Sequence, residues 1–62
     1  MEELKDKLND LWKEVTHPVL GKGQIVSLDN AHREYIIKFD NIDTRRNISY
    51  DFKGLQIGKK KN

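Results

Sequence analysis

Two histidines, His17 and His32, are the side chains in this 62-residue chain best suited to acid–base or metal chemistry. Both stand without the companions such chemistry needs. The sequence contains no cysteine, which removes thiolate nucleophiles, zinc–thiolate sites and disulfides together. Ser27 and Ser49 fall in strand-like runs with no nucleophile-elbow context. The histidines lie fifteen residues apart, a separation that matches no standard metal pattern, and the acids are scattered rather than clustered. No catalytic residue, metal or cofactor is expected, and the protein reads as a non-enzyme. His17 is expected to be structural, its ring hydrogen-bonding backbone near Gly21 or Gly23. Gly21-Lys22-Gly23 lacks the longer spacing and the following helix of a phosphate-binding loop, so it reads as a strand bend.

The remaining chemistry is positive charge. Twelve basic and ten acidic residues give a formal charge of +2, too mild to make a nucleic-acid binder by composition. Placement says more than the sum. Residues 1–14 carry five acids against three lysines, whereas residues 15–62 hold nine basic and five acidic groups. Lys53, Lys59, Lys60 and Lys61 end the chain with no acid among them. Arg45 and Arg46 are adjacent, so on a strand they point to opposite faces, with Arg46 at the rim beside Ile48 and Tyr50. Lys22, Lys38 and Arg45 are expected to share an exposed face. With Tyr35 or Tyr50 at its edge, that face would suit phosphates and stacking bases, and Lys59 to Lys61 would add sequence-independent affinity. An aromatic cage for methylated residues is not expected. Trp12, Tyr35, Phe39, Tyr50 and Phe52 are all the aromatics present, and the core needs nearly all of them.

Elements that could position these groups follow from periodicity. Leu4, Leu8, Leu11 and Trp12 fall on one helical stripe with Glu2 and Glu3 in the first turn, which predicts an amphipathic helix over 1–13 packed on the rest. From Glu14 the period changes to that of a first strand. Pro18, Gly21 and Gly23 break any helix. Strand patterns follow at Gln24 to Asp29, Tyr35 to Phe39, Arg45 to Tyr50 and Leu55 to Ile57, separated by turn chemistry. Ile25 and Leu28 are three apart, so both can face inward only if the strand bulges. The core is expected to comprise Leu8, Leu11, Trp12, Val15, Leu20, Ile25, Leu28, Tyr35, Ile37, Phe39, Ile48, Tyr50 and Leu55. Five short strands in so small a chain close most economically as a bent barrel over 14–57, followed by a basic tail at 58–62. A chain this short buries only about 60% of its unfolded surface, so its stability is a few kcal/mol. No apolar run approaches the roughly 20 residues a membrane helix needs, and a soluble, cytoplasmic protein without membrane partners is expected.

Val15-Thr16-His17-Pro18-Val19-Leu20-Gly21-Lys22-Gly23-Gln24-Ile25 resembles the Val-x-His-x-x-Phe-Gly-x-Gly-x-Val opening of small Tudor-like, SH3-like barrels. Such barrels occur at the C-terminus of UvrD/PcrA-type DNA helicases. The resemblance covers about residues 14–57, with Leu20 in place of the usual phenylalanine. It implies a mainly β, five-stranded SH3-like barrel whose motif residues Val15, His17, Leu20, Gly21, Gly23 and Ile25 shape the bent strand. Related barrels in the CarD and transcription-repair coupling factor families bind the β subunit of RNA polymerase, which implies a binding module of transcription or DNA-repair machinery docking through a strand edge. The same segment is similar to a KOW-type motif, for which nucleic acid is the partner, reached here through Lys22, Lys38, Arg45, Arg46 and the lysine tail. A third expectation is an architectural role, in which the helix stripe makes a homodimer. Monomer and weak dimer are both compatible with the composition.

Overall fold

A computed structural model of the protein describes residues 8–60. Five strands are present: β1 (Lys13–His17), β2 (Gly21–Asp29), β3 (Glu34–Phe39), β4 (Arg46–Ser49) and β5 (Gln56–Lys60). All pair antiparallel in one sheet of order β4-β3-β2-β1-β5. The mainly β, five-stranded reading is therefore correct. β1 lies between β2 and β5, so the last strand returns across the whole chain to join the first. Among the described residues no ladder joins β4 to β5, and the sheet keeps two edges.

Alternation places Val15, Ile25, Tyr35, Ile37 and Phe39 on one face, where they and Tyr50 form the buried core. Leu11, Leu20, Leu28, Ile42, Ile48 and Leu55 pack around them. The expected bulge is present: the β2–β3 register runs Ile25↔Ile37 and then Ser27↔Ile36, which returns Leu28 to the inner face opposite Tyr35. Gly23 sits opposite both Val15 and Phe39. A Cβ there would meet Lys38 O and Phe39 Cδ1 at 2.8 Å, so only glycine lets β3 lie this close. Gly21 serves differently. Its φ of +86° turns the chain out of Pro18–Leu20 into β2, and space around it is open.

The N-terminal expectation needs correction. Residues 1–7 of the helix foreseen over 1–13 lie outside the described residues. Leu8 is still helical, and from Asn9 to Trp12 the chain forms turns: Leu11 N–H donates to Leu8 O at 3.2 Å and Lys13 N–H to Asp10 O at 3.1 Å. Trp12 then adopts a left-handed φ of 71°, which no helix continues through, and β1 begins at Lys13. Among the described residues of this stripe, Leu11 packs against the core, and Leu4 lies outside them. Leu8 is 52% exposed and Trp12 48%, so neither is a core residue. At the other end, β5 continues to Lys60, so Gly58, Lys59 and Lys60 belong to the sheet; Lys61 lies outside the described residues. No helix among the described residues is long and apolar enough to cross a membrane.

Candidate functional site

His17 ends β1 where the chain enters the Pro18–Leu20 turn. Its Nδ1 accepts the backbone N–H groups of Val19 at 3.0 Å and Leu20 at 3.1 Å. An Nδ1 that accepts twice carries no proton, which puts the proton of the neutral ring on Nε2. The ring stacks on Phe52 at 5.0 Å and 11°, and meets the edge of Phe39 at 5.9 Å and 85°. The ring bonds backbone at Val19 and Leu20, where the sequence reading expected Gly21 or Gly23. Phe52 as its partner was not foreseeable, because 35 residues separate them. His32 lies in the exposed β2–β3 turn, Nδ1 2.9 Å from Asp29 Oδ2, with its N–H on Asp29 Oδ1 at 3.2 Å. This contact lowers the Asp29 pKa and raises that of His32. Among the described residues no group of three or more His, Cys, Asp or Glu could hold a metal ion.

The outer face of the sheet carries a groove of about 480 Å³ across β5, β1, β2 and the end of β3. Lys22 and Lys38 both line it, together with Glu14 and Asp40, whereas Arg45, expected to share their face, does not. Lys38 is also engaged elsewhere: its ammonium donates to Phe39 O at 3.1 Å and to Ile42 O, capping the turn after β3. Arg45 is exposed just before β4, and Arg46, opposite Ile37, lies exposed on the edge strand. Lys59 and Lys60 belong to β5, on the far side of the sheet from β4.

Stacking on Tyr35 or Tyr50 is ruled out. Both are buried and meet each other edge-on at 4.7 Å. Tyr35 donates to Asp10 Oδ2 and Tyr50 to Asn30 Oδ1, each at 2.8 Å. Burial, then the Asp10 carboxylate, pushes the Tyr35 phenol well above its ordinary range; burial raises Tyr50 as well. The exposed aromatic rings are instead Phe52, whose other face stacks on His17, and Trp12. The left-handed backbone of Trp12 is clamped to β2, with Trp12 N–H donating to Ile25 O at 2.8 Å and Gln24 Nε2 donating to Trp12 O at 3.0 Å. Nothing in the leucine-stripe pattern signals this, since helical spacing placed Trp12 inside.

In comparisons with known proteins the chain matches no family model, no curated protein and no solved structure.

Proposed function

We propose that the protein is a non-enzymatic binding module, an SH3-like barrel that receives an extended segment of a partner protein along an open edge of its sheet. The observation that carries this reading is the strand order, which leaves β4 and β5 with one neighbour each. The register break at Ile25/Ser27, a second between Lys13 and Val15, and the close approach at Gly23 support a sheet rolled tightly enough to be such a barrel. β4 is the better docking edge. Lysines on β5 discourage strand addition there, while β4 offers Asn47, Ile48 and Ser49 after Arg46.

Transcription and DNA-repair machinery is the partner class that the Val15–Ile25 motif suggests, and the β subunit of RNA polymerase is the first partner to test. Isotope-labelled protein titrated with that subunit should gain hydrogen-exchange protection at amides of Arg46–Ser49. Binding that protects other residues and leaves β4 unchanged contradicts docking at this edge.

A further inference from the structure

The pairing of β4 with β3 fixes which of its backbone groups are in use. Tyr50 N–H donates to Arg33 O at 2.9 Å, and these two residues continue the register Glu34↔Ser49 by one step. Bonded and non-bonded pairs alternate along an antiparallel ladder, so Ile48 with Tyr35 and Arg46 with Ile37 are the next bonded pairs. The N–H and C=O of Asn47 and the N–H of Ser49 therefore point off the sheet, away from β3. Side chains sort by the same register. Arg46 and Ile48 stand opposite the buried Ile37 and Tyr35 and share their face, Ile48 packed against the core and Arg46 exposed at the rim. Arg45 is exposed beside it, just before the strand. Among the described residues, neither arginine joins an ion pair, in contrast to Arg33, whose guanidinium lies 3.6 Å from Asp51. Like charges opposite each other destabilise a sheet, so these arginines oppose pairing with a second copy of β4 and favour carboxylates.

We propose that the segment received by β4 is acidic: an antiparallel strand reading apolar–any–acid–acid from its N-terminal end. Its apolar residue lies opposite Ile48 and its carboxylates opposite Arg46 and Arg45. The inference rests on β4 being the docking edge. Every ladder of this sheet is antiparallel, and one more antiparallel strand continues the same hydrogen-bond geometry. Asp51, exposed beyond the other end of β4, repels any register that slides the acids towards it. Nucleic acid could meet the arginines, but it has no strand backbone to bond Asn47 through both N–H and C=O.

The test is an NMR titration of the isotope-labelled full chain with three end-capped peptides of roughly eight residues. They are identical except for a centre of Val-Thr-Glu-Glu, its reverse Glu-Glu-Thr-Val, or Val-Thr-Lys-Lys. The first should bind most tightly, with hydrogen-exchange protection gained chiefly at Asn47 and Ser49. Arg45→Gln and Arg46→Gln should each weaken it about 1.5- to 5-fold. Arg45→Glu with Arg46→Glu should transfer the preference to the lysine peptide. Both side chains are exposed, so the variants should keep the fold. Protection at Asn47 and Ser49 without preference between glutamate and lysine overturns the acidic segment and leaves β4 a docking edge. Glutamate-peptide binding that leaves those two amides unprotected overturns docking at β4 itself. Tighter binding of the reversed peptide overturns the antiparallel order, and no binding by any peptide at millimolar concentration overturns the acidic segment. Displacement of the glutamate peptide by oligothymidylate at equal charge concentration also overturns it, and assigns the arginines to phosphates.

Discussion

The imidazole of His17 lies flat against the ring of Phe52, 5.0 Å between centroids, while its Nδ1 holds the backbone of Val19 and Leu20. One side chain thereby closes the β1–β2 turn and ties it to the connection between β4 and β5. That connection is also held by Tyr50 in the core, by Tyr50 N–H donating to Arg33 O at 2.9 Å, and by Phe52 N–H donating to Ser49 O at 3.1 Å.

Removing the ring should be felt as stability. His17→Ala deletes two hydrogen bonds and the stack, at a cost of about 2 kcal/mol. His17→Asn, which can restore one acceptor, should recover about half of the loss. Urea denaturation of the three proteins checks this; equal midpoints for wild type and His17→Ala would remove His17 from the fold's supports.

The two turn-region glycines should differ sharply. At Gly23 an added Cβ collides with the Lys38 carbonyl and the Phe39 ring, so Gly23→Ala should cost about 3 kcal/mol, near the upper end for overpacking. Gly21→Ala meets no atom and bears only left-handed strain, about 1 kcal/mol, and Gly21→Asn less. Thermal melts that reverse this order would be inconsistent with the close β2–β3 approach.

Alkaline unfolding should be governed by the tyrosines. Tyr35 and Tyr50 have folded-state pKa values raised by burial, so the neutral phenols favour the fold at all pH values below the unfolded value, about 10. That stability is lost as pH rises above it. Tyrosinate absorbance should therefore appear together with loss of the fold. Tyr35→Phe should delay the transition to higher pH, while costing about 1 kcal/mol at neutral pH through the lost bond to Asp10. A phenol that ionises in the intact fold near pH 10 would contradict the burial.

The Asp29–His32 contact has an opposite sign at each end of its range. Asp29 is lowered, chiefly by its hydrogen bond to His32, so its contribution is present above the unfolded carboxylate value and lost as pH falls through the folded one. His32 is raised, chiefly by the same bond, so its contribution is full below about 6.5 and lost as pH rises through the folded value. The pair is therefore strongest between about pH 4 and 6.5. An NMR titration should show His32 titrating above an ordinary histidine, and Asp29→Asn should return it to the usual value.

Lys38→Met tests the capping role of this ammonium. The turn after β3 loses its donor to Phe39 O and Ile42 O, and stability should fall by about 1–2 kcal/mol. Urea denaturation checks this, and an unchanged midpoint would remove the Lys38 ammonium from the supports of this turn.

Local pattern alone determined the strands, the glycine bend, the bulge between Ile25 and Leu28 and six buried residues, because alternation and backbone sterics are properties of neighbouring residues. Val15, Ile25, Tyr35, Ile37, Phe39 and Tyr50 could be read inward from their period of two. Trp12 could not. Its spacing from Leu8 is that of a helix stripe, and only the clamp from Ile25 and Gln24 on β2 makes it a left-handed, exposed residue. Contacts between distant segments are likewise decisions of the tertiary fold: His17 on Phe52, Tyr35 on Asp10, and Lys38 donating to the carbonyls of Phe39 and Ile42. Each joins residues through pairing between strands or through a turn that brings distant backbone close. Side-chain period reports which face a residue takes within its own strand, and carries no information about which strand will lie beside it.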